Sequence, residues 1–196
     1  EIRNCLVGSE MCIRDRLGFD YHTLQKINSK LIYAENTGFG PRGPLASSAG
    51  MDMALQGYSG LAPLTTNGPI PLVDPVIDYS AAMLMAWGIA TALFHRERKG
   101  EGQKLDVSLL QAALVLQNNN INSVAAFDEH RVEFANYLKD AFTQGATWED
   151  VLSRQSQSKL LGATAAYYGF FRTADQVLCL GAGGSVVQKR LSLIHI

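Results

Sequence analysis

Charge is scarce in this 196-residue chain. Charged residues make up 18%, and 17 Lys and Arg stand against 18 Asp and Glu, for a formal net charge of −1. With no basic excess to neutralise a run of phosphates, binding of nucleic acid by bulk electrostatics is disfavoured. Cysteine is scarce too. Cys5, Cys12 and Cys179 form neither a metal-ligand pattern nor an even disulfide framework. No uninterrupted apolar stretch reaches the roughly 18 residues that span a bilayer, so no membrane association is expected. There is no Walker loop, no GxGxxG fingerprint and no GxSxG elbow. The GFGPRG stretch at 38–43 is a poor phosphate cradle, because its proline keeps a helix N-terminus from following directly. His22, His95 and His130 are scattered, and each reads as a surface residue or helix-end cation; no metal site is expected. Hydrophobic residues, by contrast, make up 47%. That suffices to bury a core and excludes a disordered chain. The length fits one ordinary domain or a piece of a larger one. The chain reads as soluble, reduced and cytoplasmic.

The two ends do not match the middle. Residues 1–16 read EIRNCLVGSEMCIRDR and the chain closes on RLSLIHI. Neither end has a clean helical or strand period, and both resemble translated sequencing-adapter read-through. A signal peptide is excluded for 1–16, since Glu10 and Asp15 interrupt it and no apolar core is present. The expectation is that 1–16 and 190–196 are non-native flanks, and that Cys5, Cys12 and His195 carry no function.

Between these ends the elements alternate. Tyr21 to Ile27 suits a short helix, with Leu24 and Ile27 spaced by three, and Leu31 to Ala34 suits a strand. NTGFGPRGPLASSAG, at 36–50, is a loop. Asp52 to Tyr58 suits a short helix. Pro63, Pro69, Pro71 and Pro75 forbid a continuous helix through Gly60–Ile77. Tyr79 to Arg98 is apolar on nearly every side from Ala81 to Phe94, which predicts a central helix buried all round, too short in its apolar run to span a membrane. Asp78 falls at its N-cap, His95, Arg96, Arg98 and Lys99 crowd its last turns, and Gly100 supplies a stop. Lys104 to Val107 suits a brief strand. Ser108 starts a helix with Leu109, Ala112, Ala113 and Leu116 at i, i+3, i+4, i+7. Glu129 to Phe142 is a more polar helical region, and Thr147 with Asp150 makes a capping-box-like start for another helix. Tyr167–Thr173 and Val177–Gly181 read as two strands joined around Ala174–Gln176. Composition shifts near Asn118–Asp128, which predicts a domain or linker boundary. Helix, strand and glycine loop in this order predict an α/β fold.

Chemistry then falls to the carboxylates. Cys179 reads as a small core hydrophobe rather than a nucleophile. Asp78 follows the proline-rich connection at the mouth of the most apolar helix. It is either a plain N-cap, or a carboxylate kept ionised by the helix end and able to attack an activated acyl group, with nearby backbone amides stabilising the developing oxyanion.

NSKLIYAENTGFGPRGPLASSAGMDMALQGYSGL, followed by VIDYSAAMLMAWGIATALFHRERKGEGQKLDVSLLQAAL, resembles the class III CoA-transferase family, that of formyl-CoA transferase and crotonobetainyl-CoA:carnitine CoA-transferase. YYGFFRTADQVLCLGAG resembles the hairpin of that family's smaller domain. The resemblance covers about residues 17–184. It implies a Rossmann-like large domain, long linking helices and a small α+β domain, in an interlocked homodimer. On that plan 17–117 is the second part of the large domain, 118–160 a linker and helical region, and 161–189 the start of the small domain. The resemblance also implies that Asp78 is the nucleophile. It would form an acyl anhydride and then an aspartyl-CoA thioester while CoA passes between carboxylic acids. The CoA thioester is a substrate, and no permanently bound cofactor is implied. Phe39 and Gly40 are carried over as CoA-contacting residues, although a tight turn after a strand explains Gly38-Phe39-Gly40 as well. Arg42 reads as an exposed loop arginine, or as a partner for phosphate or carboxylate.

The related acyl-CoA racemases place a His before the Asp of the second helix. Met51 stands there, before Asp52, and a thioether takes no proton, so racemisation is disfavoured; Asp52 then reads as a helix-start cap. The family's first block, which contacts the CoA nucleotide, has no counterpart here. Its glycine-rich loop before the hairpin is not evident either, with only Gly162 and Gly169 nearby. A third reading is a catalytically inactive, incomplete scaffold.

Overall fold

The computed structural model describes residues 17–122, 129–158, 168–181 and 186–189. The terminal stretches 1–16 and 190–196, with Cys5, Cys12 and His195, lie outside the described residues, as do Gly162 and the middle of the expected linker. The chain divides into two units, Glu1–Ser123 and Val124–Ile196.

The first unit is a mixed α/β arrangement. Helix α1 (Tyr21–Ile27) opens on Asp20, whose Oδ1 accepts from Thr23 N at 3.0 Å. Strand β1 (Ile32–Thr37) follows, then the glycine loop, then helix α2 (Asp52–Ser59). The proline-rich connection contains only the two-residue strands β2 (Leu64–Thr65) and β3 (Gly68–Pro69), paired antiparallel. Helix α3 (Val76–Lys99) leads to strand β4 (Gln103–Ser108), and helices α4 (Leu109–Leu116) and α5 (Asn118–Ile121) close the unit. Strand β4 lies parallel to β1, with Ile32 opposite Gln103 and Thr37 opposite Ser108. Lys104 ties the two strands, with Nζ 3.1 Å from Glu35 and 2.8 Å from Asp106. Partial burial pushes the pKa of this ammonium down, but its hydrogen bonds to Asp106 and Glu35 outweigh that and hold it above the ordinary lysine value.

A parallel pair requires a crossover, and a crossover helix runs back against its strands. The start of α3 therefore lies toward the carboxyl ends of β1 and β4. The core gathers there: Leu55, Ile77, Ala81, Val107, Leu109, Ala112 and Ala113 are buried together, with Phe39, Val76 and Leu110 packed against them.

Two expectations about α3 are corrected. It is not buried all round: Ile77, Ala81 and Ala92 are buried, while Tyr79, Met83, Trp87 and Phe94 are exposed, Trp87 at 72%. The helix is apolar on every side but covered on one only: Ile77, Ala81, Leu84 and Met85 pack into the core, and a Cβ added at Gly88 would sit 3.6 Å from the Leu105 side chain. Nor is it too short to span, since by length and composition α3 could cross a membrane. Its covered side, however, packs on β1, β4, α2 and α4.

In the second unit, helices α6 (Glu129–Asp140) and α7 (Trp148–Ser158) pack together. Phe142 and Trp148 touch ring to ring at 4.6 Å, and Ala141 and Val151 are buried. Thr147 and Asp150 cap α7 reciprocally: Thr147 N donates to Asp150 Oδ2 at 2.8 Å, and Asp150 N to Thr147 Oγ1 at 3.2 Å. Strands β5 (Tyr168–Arg172) and β6 (Val177–Gly181) form an antiparallel hairpin. Cys179 is exposed on it, opposite Phe170. It is not the core residue expected, because this strand pair leaves Val177, Leu178 and Cys179 uncovered.

Candidate active site

In a parallel α/β layer, ligands bind beyond the carboxyl ends of the strands. Here Gly38-Phe39-Gly40 continues β1 past that edge. Gly40 is buried with φ +91°, and its N–H donates to Thr37 Oγ1 at 3.0 Å. Ser108 lies alongside, at the end of β4, and caps α4 by accepting from Gln111 N at 3.0 Å. Leu110 N donates to Gly38 O at 3.0 Å, pinning the loop to the same helix. Phe39 is half-buried, packs on the core and meets the Tyr58 ring edge-on at 5.3 Å. Arg42 is exposed.

The start of α3 completes this edge. Asp78 is not its N-cap. The helix begins two residues earlier, Pro75 occupies the cap position, and Asp78 is the third helical residue. The cap comes from another helix: Asp52 Oδ2 accepts from Ile77 N at 2.8 Å and from Asp78 N at 3.0 Å. Its Oδ1 accepts from Gln56 Nε2. Gln56 is fully buried, and its Oε1 accepts from Leu72 N at 2.6 Å, which holds the proline-rich connection. The Asp78 carboxylate is exposed and, among the described residues, has no hydrogen-bond or ion-pair partner.

This arrangement corrects a second expectation. The amides that open α3 are already engaged: Val76 N donates to Asp74 O at 2.8 Å, Tyr79 N donates to Pro75 O at 3.1 Å, and Asp52 holds the two between them. They cannot cradle an oxyanion while Asp52 holds them. Asp52 does not cap its own helix, where Met51 holds the cap position without a side-chain bond and Asp52 is the first helical residue. A helix that starts behind proline, with no Ser, Thr, Asp or Asn at its cap, leaves its first amides to an outside acceptor or to water, but nothing local names the residue that supplies one. Among the described residues no three His, Cys, Asp or Glu side chains gather as metal ligands.

The sequence model of CoA-transferase family III matches residues 9–193. The chain belongs to this family. The match reaches into both terminal stretches. Over 106 residues the chain is 42% identical to an acetyl-CoA:oxalate CoA-transferase from Acetobacter aceti, covering 52% of this chain and 27% of that protein. Over 128 residues it is 40% identical to a succinate–glutarate CoA-transferase from Agrobacterium fabrum, covering 62% and 32%. The chain thus spans about a third or less of the curated relatives it matches. Among solved structures, a hypothetical protein from Mycobacterium tuberculosis superposes with a TM-score of 0.63 at 22% identity, covering 93% of this chain and 43% of that one. A CaiB/BaiF family protein from Brucella suis superposes at 0.58 and 24%, covering 97% and 47%. These structures share the fold of this family III chain.

Proposed function

We propose that the complete protein moves coenzyme A between carboxylic acids, with Asp78 as nucleophile. The observation that carries this reading is the contrast between two carboxylates at one helix end. Asp52 accepts three hydrogen bonds, whereas Asp78 is exposed and, among the described residues, unpaired. Lone pairs held by three donors are poor nucleophiles; free ones are available. The names of the relatives, CoA-transferases acting on acetyl, oxalate, succinate and glutarate groups, support the reaction class.

The steps balance without redox change or an added co-reactant. An Asp78 oxygen adds to the donor thioester carbonyl and CoA leaves as thiolate, giving a mixed anhydride. The thiolate attacks the aspartyl carbonyl and releases the donor acid as carboxylate, leaving an aspartyl-CoA thioester. The acceptor carboxylate attacks that carbonyl and expels CoA thiolate, forming a second anhydride. The thiolate then attacks the acceptor acyl carbonyl, which frees Asp78 and yields the new acyl-CoA. Phe39 and Gly40, at the carboxyl edge of β1, are assigned to the CoA-lining wall.

An anhydride must be kept from water, and Asp78 is exposed in the single chain. A second subunit is the proposed cover. The exposed Tyr79, Met83, Trp87 and Phe94, running from beside Asp78 along α3, support a homodimer seated on this helix. The β1–α3–β4 crossover supports assigning 17–117 to a Rossmann-like large domain, with 118–160 as linker and 161–189 as the start of a small domain. Racemisation stays disfavoured, since Met51 supplies no base.

The test is Asp78→Ala in the complete enzyme, which should abolish CoA transfer. Hydroxylamine added during turnover of the unmodified enzyme should convert the thioester to a hydroxamate on the peptide carrying Asp78, read by mass spectrometry. Unchanged turnover in the variant, or a hydroxamate elsewhere, would refute the assignment.

A further inference from the structure

We propose that Asp52 is a positioning residue for the reacting carboxylate. It anchors the first turn of α3 so that the Asp78 side chain remains uncommitted. This rests on the reading of Asp78 as nucleophile and adds a second residue to it.

An acidic side chain at the third position of a helix normally turns back and takes a hydrogen bond from the N–H of the cap residue. Asp78 occupies that position, but the cap residue is Pro75, which has no N–H. The next donors are Ile77 N and Asp78 N, and Asp52 Oδ2 holds both, at 2.8 and 3.0 Å. Pro75 and Asp52 together leave Asp78 no local amide to cap.

The same contacts set direction. Ile77 is fully buried, so the side chain beside Asp78 is fixed by packing, and the amide of Asp78 is fixed by Asp52. Asp52 is itself held: its other oxygen accepts from Gln56, whose buried amide grips Leu72 N at 2.6 Å and Leu72 O at 3.3 Å. One polar chain therefore links α2, the proline-rich connection and the first turn of α3. Asp52 also places a negative charge where the positive end of α3 would otherwise draw the Asp78 carboxylate inward.

The test is made in the complete enzyme. Asp52→Ala should lower kcat about 100-fold, the cost of misplacing a reacting group by about an ångström, with KM for both substrates changed less than about threefold. Asp52→Asn keeps an acceptor on the two amides and should restore kcat to within about tenfold of the unmodified enzyme. Asp52→Ser, with a shorter acceptor, should fall between Asn and Ala. Single-turnover formation of the thioester on Asp78 should slow in the same order. Should Asp52→Ala fail to fold, as judged by thermal melting, the Asn-above-Ser order still decides. Equal kcat across the folded variants and the unmodified enzyme, a loss confined to KM, or no advantage of Asn would overturn the proposal. Asp78→Asn is run beside them. If it turns over normally, the nucleophile reading itself fails; if it is inactive while Asp52→Ala matches the unmodified enzyme, only the positioning role fails.

Discussion

Gly38 and Gly50 show how little room separates the two ends of the glycine loop. A Cβ on Gly38 would lie 2.6 Å from the Gly50 backbone, and one on Gly50 would lie 2.3 Å from Gly38 Cα. Either Gly→Ala change must push the loop off the edge of β1. A cost of about 1–3 kcal/mol is expected, read as a lowered urea midpoint. Gly57 in α2 is the control: a Cβ there meets nothing within 4 Å, and Gly57→Ala should stabilise by about 0.5–1 kcal/mol. All three are glycines in or beside one short segment, and only the fold separates the required ones from the dispensable one. In the sequence, Gly38 was legible as part of a turn. Its contact with a residue twelve positions on was not, because backbone-to-backbone packing leaves no mark in residue type beyond the glycine itself.

Among the elements, caps were read well where they are local. Ser108 and the Thr147–Asp150 pair each bond amides three residues away, and the residue types announce it. Ser108→Ala should cost about 1 kcal/mol, measured by denaturant unfolding. In the α7 cap, the Thr147 hydroxyl and then the Thr147 amide hold the Asp150 carboxyl below its ordinary pKa. A depressed carboxylate pKa stabilises the folded state at neutral pH, and that contribution is lost as pH falls through the folded value. Amide exchange in the first turn of α7 should therefore speed up at acidic pH, relative to the intrinsic rate, and Asp150→Asn should flatten that dependence. The cap of α3 escaped the sequence for the opposite reason. Its acceptor lies 25 and 26 residues from the amides it holds, so no local pattern points to it.

At the scale of the whole molecule, the exposed side of α3 dominates. Tyr79, Met83, Trp87 and Phe94 form a long apolar face, Met83 at 70% exposure and Phe94 at 63%. Such faces drive association. The 196 residues expressed alone are expected to self-associate and to show no CoA transfer. Sedimentation should reveal species larger than a monomer, and a sharply melting monomer would contradict this. In the complete protein, Trp87→Glu should shift the proposed dimer toward monomer, measured by sedimentation equilibrium.

The sequence by itself determined which segments become helix and strand, where the local caps and the hairpin turn fall, and which family the chain resembles. Those depend on residue type and on spacings of two to four. The tertiary structure alone decided that α3 is covered on one side only, because a helix apolar all round has no period in its hydropathy to say which side is buried. It alone decided that Asp52 takes the amides at the start of α3 and leaves Asp78 free, because a hydrogen bond between distant residues depends on where the backbone crossover brings them.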